Sequence, residues 1–181
     1  MHAIASPPDE SQRNHIVLYE LDSGASLVLT RPEPHSDSFP VFSPDGRTIA
    51  FLRSFTWSQR EVMTVPVSGG EPSRLTYDRR PVWGLAWTAS GQEIVYSANR
   101  GGGEALWRIG RDGGAPERVL VTSQTAFHPA ISRAGNRLAY TEEFTDTNIR
   151  LYSGPEFNES AVPIRSTRED HSPRFSPDGQ R

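Results

Sequence analysis

A turn motif that recurs at a nearly constant spacing is the feature that most constrains how this chain can fold. Four tetrapeptides end in a glycine at equivalent positions, and two of them are complete Ser-Pro-Asp-Gly turns. Their residues are Ser43, Pro44, Asp45 and Gly46, and Ser176, Pro177, Asp178 and Gly179, while the other two copies end at Gly91 and Gly135. Successive glycines lie 45, 44 and 44 residues apart. A period of this length predicts a repeat architecture.

The segments around these turns repeat as well. A large apolar residue stands four positions before each glycine, and an apolar triplet follows each of the first three glycines. A third apolar segment comes next, at 62–65, 106–109 and 149–152, and is followed by a second glycine turn at 69–70, 113–114 and, more loosely, 154. A fourth segment closes each unit, at 73–76, 118–120 and 162–164. Each unit is therefore predicted to be a four-stranded antiparallel meander.

The residue types of the first turn indicate its geometry. Serine or threonine at the first position, proline at the second and glycine at the fourth fit a type I turn. The glycine then takes a positive φ and forms a bulge that lets a tight hairpin follow the strand twist. Asp45 and Asp178 are expected to bind neighbouring backbone N–H groups. Calcium is the alternative, but it needs several oxygen ligands. Each Ser-Pro-Asp-Gly turn has one carboxylate and the two middle turns have none, so no metal site is predicted.

These units predict an all-β fold, a β-propeller of four-stranded antiparallel blades, because a blade has roughly 40–50 residues and is apolar on both faces. About four blades are expected, as part of a six- to eight-bladed propeller. The predicted boundaries are a partial blade at 1–30, blades at about 38–76, 83–121 and 127–166, and the first strand of the next blade at 171–181. An irregular β-sandwich, the alternative, does not predict the 44-residue register.

Two interpretations of the chain ends stay open. Residues 16–19 and 27–30 resemble strands three and four of a blade, with a turn at Ser23-Gly24, and residues 1–6 could supply its second strand. The chain is then a fragment of a larger propeller, which is the interpretation we favour. Alternatively, the strand at 171–175 completes that blade and closes a four-blade ring, the small limit for propellers.

The repeat resembles that of a known family. The segment from Phe42 to Phe51, Phe-Ser-Pro-Asp-Gly-Arg-Thr-Ile-Ala-Phe, is similar to the hallmark of the TolB-like propeller repeat, and Phe175 to Gly179 repeats its beginning. Such repeats occur in TolB, in the propellers of prolyl oligopeptidase-like peptidases and in propellers fused to bacterial regulators. The segments 84–87, 127–132 and 146–149 most resemble the regulators, in which a winged-helix DNA-binding domain precedes the propeller. The resemblance implies the fold more strongly than the function.

Composition excludes several classes of function. The net charge of −3 and the lack of a basic block do not favour direct nucleic-acid binding by this segment. There is no cysteine, so a thiol nucleophile and a thiolate metal site are excluded. No stretch is long and apolar enough for membrane insertion, and the first residues do not form a signal peptide. No nucleophile elbow, phosphate loop or paired metal-ligand histidines occur, so neither an enzyme nor a cofactor is predicted.

The best candidate for a binding surface is a set of variable positions. Eight residues before each turn glycine, at the entry to the first strand of each blade, stand Ser38, Trp83, Phe127 and His171. Loops of successive blades converge at this end, the mouth of the central channel. Together with His128, Arg79, Arg80 and Asp170, these residues would suit a peptide carboxylate or an acidic partner. The alternative is that Trp83 and Phe127 only fill the space between blades.

The function that these observations favour is non-enzymatic binding of a protein or peptide by a propeller module of a larger bacterial protein: a sensor, a regulator or a TolB-like envelope protein. The alternative is a propeller that gates substrate access to a prolyl oligopeptidase-like serine peptidase domain. The compartment follows from that choice: periplasmic for a TolB-like protein or the extracytoplasmic part of a regulator, and otherwise cytoplasmic.

Overall fold

The computed structural model describes residues 13–119, 125–134, 137–143, 151–153 and 159–161. These residues form β-strands, turns and loops, and no helix occurs among them. The chain divides into two compact units, one up to Glu143 and one from Phe144 onward, and each is treated by itself below. No helix in the described ranges has the length and apolar character that crossing a membrane would require.

The first unit contains twelve strands within its described residues. They are β1 Val17–Tyr19, β2 Ser26–Val28, β3 Ser36–Phe42, β4 Thr48–Thr56, β5 Gln59–Pro66, β6 Ser73–Arg74, β7 Val82–Trp87, β8 Glu93–Asn99, β9 Glu104–Gly110, β10 Gly113–Arg118, β11 Ala126–Ile131 and β12 Leu138–Glu142. The second unit contributes β13 Leu151–Ser153 and β14 Glu159–Ala161, which pair antiparallel with each other.

Two complete four-stranded meanders form the centre of the first unit. Strands β3 to β6 pair in chain order, and strands β7 to β10 do the same, always antiparallel. Strands β11 and β12 form the described part of a third sheet. Strand β7 packs against both β3 and β11, so the three sheets are neighbours in space. The all-β fold and the blade-like meanders predicted from the repeat are confirmed.

Strands β1 and β2 match the third and fourth strands of the next sheet in their hydrogen bonds. The Ile16 amide donates to Thr30 Oγ1 at 2.9 Å, and the Val62 amide donates to Thr76 Oγ1 at 2.9 Å. The Leu29 and Leu75 amides donate in turn to the carbonyl oxygens of Ile16 and Val62. This shared pattern supports the predicted partial blade before residue 30. The exact blade boundaries stay a prediction, as does the assignment of β11 to β14 to a single blade.

The core lies between the sheets, because both faces of the middle strands are apolar. One buried cluster joins the first two sheets, with Leu52, Val62, Leu85, Ile94 and Tyr96 among its members. A second joins β1 and β2 to the first sheet, through residues that include Ile16, Leu29, Phe51, Met63 and Val65. Burial on both faces is what a sheet packed between two neighbours requires, and it explains why the repeat contains runs of consecutive apolar residues.

The Ser-Pro-Asp-Gly turn adopts the geometry expected from its residue types. The Ser43 hydroxyl donates to Asp45 Oδ1 at 2.5 Å, and the Arg47 amide donates to the same oxygen at 3.0 Å. These hydrogen bonds, from Ser43 first and then Arg47, lower the pKa of the Asp45 carboxyl. Gly46 and Gly91 have φ angles of 70° and 68°. The aspartate therefore organises the local backbone of the turn.

The second turn differs slightly from the expected one. Gly113 and Gly114 lie at the start of β10, and the turn itself is formed by Arg111 and Asp112. Because Gly113 pairs with Gly110, the turn lies two residues earlier than the glycine pair suggests. Several predicted features lie outside the described residues: 1–6, Gly135, Gly154, 162–164, His171 and the turn from Ser176, Pro177 and Asp178 to Gly179.

Substituting alanine at the turn glycines tests this geometry. Gly46→Ala is expected to cost about 1 kcal/mol of folding free energy, since alanine is strained at positive φ. Gly91→Ala is expected to cost more, because its new Cβ would lie 3.3 Å from Pro44 Cδ, whereas the Cβ at position 46 meets nothing within 4 Å. Urea denaturation of both variants measures the difference. Gly46→Asn is the control, since asparagine tolerates this conformation and should recover part of the loss; equal stability of all variants would contradict the turn assignment.

Candidate functional site

Each of the three sheets has a β-bulge in its first strand. The register shifts by one residue between Ser38 and Val41 in β3, between Val82 and Leu85 in β7, and between Phe127 and Ala130 in β11. Phe39 and His128, seven residues before their turn glycines, have positive φ angles of 56° and 48°. Bulky residues rarely adopt this conformation, and such strain is concentrated at functional sites. The repeated bulge therefore marks this end of the strands as a candidate site.

Gly84 stands at the corresponding position of β7, where β7 and β11 approach closely. A Cβ atom at Gly84 would lie 3.1 Å from His128 Cα, a backbone atom that has little freedom to move. Glycine is therefore needed for the two strands to come this close. The close approach places the bulge of β11 directly beside the bulge of β7.

Side chains from the three sheets meet at this end of the strands. The guanidinium carbon of Arg60 lies 5.8 Å from the ring centroid of Phe39 and 5.5 Å from that of Trp83. The Trp83 and Phe127 rings are 6.4 Å apart in an edge-to-face arrangement. Phe127 and His128 have ring centroids 6.2 Å apart. We call Phe39, Arg60, Trp83, Glu104, Phe127 and His128 the entry-end cluster.

Arg60 and Glu104 supply the charges of the entry-end cluster. Each lies two residues before an equivalent buried residue of the third strand, Val62 or Leu106, so they occupy the same repeat position with opposite charge. Burial lowers the pKa of Arg60. Burial raises the pKa of Glu104, and a contact with the Trp83 indole partly opposes that rise. Arg60 Nε and Glu104 Oε2 are buried, and neither has a hydrogen-bond partner within the described part of the chain.

Three of the residues predicted to bind belong to this cluster. Trp83, Phe127 and His128 lie together, and Trp83 keeps 38% of its surface exposed although it contacts Phe127. The Trp83 indole therefore both packs against the neighbouring sheet and keeps part of its surface accessible to solvent. Ser38 lies in the paired part of β3, opposite Leu52, and is partly buried. His171 lies outside the described residues.

Arg79 and Arg80 lie in the connection between β6 and β7, next to the cluster. The Arg79 amide donates to Glu61 Oε1 at 2.7 Å, and the Arg80 carbonyl accepts a hydrogen bond of 3.0 Å from the Arg60 amide. Both residues are exposed. Their backbone is thus held beside Arg60, while their side chains add positive charge to the surrounding surface.

Phe39, Arg60 and Glu104 were not predicted from the sequence. Phe39 and His128 occupy equivalent positions in their repeat units, and so do Arg60 and Glu104. Comparing equivalent positions of the units would have shown phenylalanine in one unit where another has histidine, and arginine where another has glutamate. Variation between units at one repeat position predicted Trp83 as a candidate binding residue. The same variation at the positions of Phe39, Arg60 and Glu104 would have indicated these residues too.

A cleft lies at the opposite end of the same strands from the entry-end cluster. It has a volume of about 340 Å³, and its lining includes Val41, Phe42, Trp87, Pro129 and Ile131. The Trp87 indole donates to the Val41 carbonyl at 3.1 Å and so joins the first two sheets. The lining of this cleft is mainly apolar, and Arg133 is its one charged residue among those described. Within the ranges that the structure describes, no three His, Asp or Glu side chains are grouped in a way that could hold a metal ion.

Comparison with known proteins identifies the family. The model of the Tricorn protease N-terminal beta propeller domain matches residues 12–159. The chain belongs to this propeller family. The peptidase YuxL of Bacillus subtilis, itself uncharacterized, is 29% identical over 175 residues, a match that includes 94% of this chain and 25% of YuxL. This chain therefore spans about a quarter of that relative.

Solved structures show the same propeller fold. TolB from Acinetobacter baumannii superposes with a TM-score of 0.59 and 23% identity, over 92% of this chain and 41% of TolB. A putative TolB from Agrobacterium tumefaciens gives a TM-score of 0.62 and 18% identity, over 85% of this chain and 58% of that protein. At these identities the likeness shows the fold alone. The predicted TolB-like propeller is confirmed, and the propeller covers only part of each of these proteins.

Proposed function

We propose that this propeller domain is a non-enzymatic module that binds a protein or peptide through the entry-end cluster. The observation that supports this most directly is the meeting of Trp83, Phe127 and Arg60, from three successive sheets, on one partly exposed surface. Tryptophan and arginine are the residue types that contribute most to binding energy at protein interfaces. The cluster also contains two partly buried charged groups, Arg60 and Glu104, whose accessible atoms would contact polar groups of a ligand.

The rigidity of the surroundings suits such a role. Each member of the entry-end cluster lies in a β-strand, and the strands belong to sheets with buried cores. Preformed side chains lose little conformational entropy when a partner binds, so more of the contact energy appears as affinity. The strained backbone at Phe39 and His128 is held by the neighbouring strands rather than by local preference.

A peptide-display library tests this function. The domain is immobilised and selected against random dodecapeptides, and enriched peptides are measured by isothermal titration calorimetry. We expect peptides that bind with a micromolar dissociation constant and lose at least tenfold in affinity to Trp83→Ala, because truncating a central interface tryptophan typically costs 2 kcal/mol or more.

Trp57→Ala is the matched control. Trp57 is 81% exposed in the turn between β4 and β5 and takes part in none of the ring and guanidinium contacts of the entry-end cluster, so its loss should leave affinity unchanged. Enriched peptides that respond to Trp57→Ala and not to Trp83→Ala would place the binding surface elsewhere. A library that yields no binder at all would contradict the peptide-binding function.

The alternative is a propeller that gates access to a serine peptidase domain, and the similarity to the peptidase YuxL favours it. The surrounding reading frame separates the two. A Gly-x-Ser-x-Gly motif after this segment, together with labelling of the whole protein by a fluorophosphonate, would support the peptidase. A winged-helix domain before it would support a regulator. In either parent protein the entry-end cluster remains the surface that we propose contacts the polypeptide.

A further inference from the structure

Arg60 is a partly buried arginine without an acid partner among the described residues, as is Arg111, whereas the partly buried Arg53, Arg74 and Arg100 each have one. Five arginines of the described ranges have a carboxylate partner within 2.5–2.8 Å: Arg13, Arg53, Arg74, Arg100 and Arg108. Arg60 has none among the described residues, although burial penalises its charge. An arginine that is desolvated and lacks a counter-ion is costly to maintain. Contacts with the neighbouring rings do not replace a counter-ion, so the retention of a positive charge at this position suggests a role other than packing.

The position of Arg60 is nevertheless tightly held. Its guanidinium stacks between Phe39 and Trp83, and its Nη1 atom donates to the Val82 carbonyl at 3.1 Å. Arg100, the residue after β8, contacts one ring, that of Trp107, and pairs with Asp78 at 2.8 Å. Arg60 contacts two rings and has no acid partner among the described residues. A carboxylate of a ligand at Arg60 would give it the combination of ring and acid that Arg100 has.

Nearby charges favour an anionic ligand. Arg79 and Arg80 are exposed beside Arg60 and have no ion pair among the described residues. Glu61, the nearest acid along the chain, is fully engaged by Arg74, Thr76 and the Arg79 amide. Glu104 is the remaining acid of the cluster, and it forms no ion pair with Arg60. By formal charge, Arg60, Arg79 and Arg80 outnumber this one carboxylate around Trp83.

We propose that Arg60 anchors a carboxylate of the peptide or protein that the entry-end cluster binds. This inference rests on the proposed function and specifies the ligand chemistry. A planar guanidinium pairs with a carboxylate through two parallel hydrogen bonds, which at Arg60 would come from Nη2 and the second hydrogen of Nη1, because Nε is buried. The neighbouring rings restrict the motion of the guanidinium, so little entropy is lost on binding. Trp83 and Phe127 then contact the apolar part of the ligand adjacent to its carboxylate. The carboxylate belongs to the chain terminus or to an acidic side chain of the ligand.

Nuclear magnetic resonance of the indole groups provides the test. The chain has four tryptophans, so the ¹⁵N-labelled domain gives four indole signals, and Trp83→Phe assigns the one in the cluster. Three pools of acetylated random pentapeptides are titrated: a neutral amidated pool, the same pool with a free terminal carboxylate, and an amidated pool with a central glutamate. We expect at least one carboxylate-bearing pool to shift the Trp83 signal at a tenfold lower concentration than the neutral pool.

Variants at Arg60 identify the anchor. Arg60→Met should abolish the advantage of the carboxylate-bearing pools, and Arg60→Lys should restore only part of it, because an ammonium cannot form the paired hydrogen bonds. Arg118→Met is the control, since Arg118 is exposed in β10 and outside the cluster. The dispersion of the remaining amide signals confirms that each variant is folded.

The outcomes distinguish the two proposals. Preference for the free-terminus pool or for the glutamate pool identifies the source of the carboxylate. Equal shifts by the neutral pool and the carboxylate pools, or an unchanged preference in Arg60→Met, would overturn the anchor while leaving peptide binding intact. No shift of the Trp83 signal by any pool would overturn both.

Discussion

Glu61→Ala is expected to destabilise the protein by about 3–5 kcal/mol, the usual cost of breaking a buried ion pair by removing one partner. The Glu61 side chain is 1% exposed. It accepts hydrogen bonds from Arg74 Nη2 at 2.8 Å, from the Thr76 hydroxyl at 2.5 Å and from the Arg79 amide at 2.7 Å. Alanine would leave all three donors without this partner, and one of them carries a charge. The connection from β6 to β7 would lose its main attachment.

Urea denaturation followed by tryptophan fluorescence measures this effect. The matched control is Glu117→Ala, which removes the partner of Arg108 at a surface pair where both side chains are about half exposed or more. Exposed pairs of this kind contribute about 0–1 kcal/mol. Glu61→Gln should fall between the two, because the amide keeps an oxygen acceptor but loses the charge. Similar losses for Glu61→Ala and Glu117→Ala would show that the Glu61 network does not hold the connection.

Phe51→Ala is expected to cost about 3–5 kcal/mol, because a large side chain removed from a packed core leaves a cavity. Phe51 has no exposed surface and packs in the cluster that joins the first sheet to β1 and β2. Its neighbours include Ile16 and Leu29, so the cavity would weaken the attachment of these two short strands. The loss should appear both in the free energy of unfolding and in faster amide exchange of β1.

Phe42→Ala is the control for this substitution. Phe42 is the same residue type in an adjacent strand but is 47% exposed, so it loses about half as much apolar burial. We expect it to cost less than half as much as Phe51→Ala. If Phe42→Ala cost as much as Phe51→Ala, the phenylalanine before the turn would have a structural role that its exposure does not suggest.

The fold was predictable because its determinants are local and repeated. A turn with a set residue pattern closes each hairpin, and Gly46 and Gly91 show the expected positive φ. Apolar runs on both sides of the turn predict strands buried on both faces, as found at Phe51 and Tyr96. Because the pattern recurs every 44 or 45 residues, each unit supports the interpretation of the others. Only small details differ, such as the turn at Arg111 and Asp112 preceding the glycine pair.

The candidate site was only partly predictable. Trp83 and Phe127 were singled out because they vary at a fixed repeat position. Arg60 was not, because its partners come from other strands: Phe39 lies 21 residues before it and Trp83 lies 23 residues after it. The bulges that give Phe39 and His128 positive φ could not be read from these residue types: phenylalanine rarely adopts that conformation, and histidine, although enriched there, adopts it in a small minority of cases. Packing between sheets imposes it.

The sequence by itself determined the all-β class, the four-stranded units and the positions of their turns, because hairpin geometry and burial periodicity depend on residues close together in the chain. Only the tertiary structure decided which side chains meet at the strand ends, and that Arg60 stacks on two rings while having no acid partner among the described residues. These contacts between side chains depend on how neighbouring sheets twist and pack. Contacts between sheets depend on distances across three units, which no local pattern encodes.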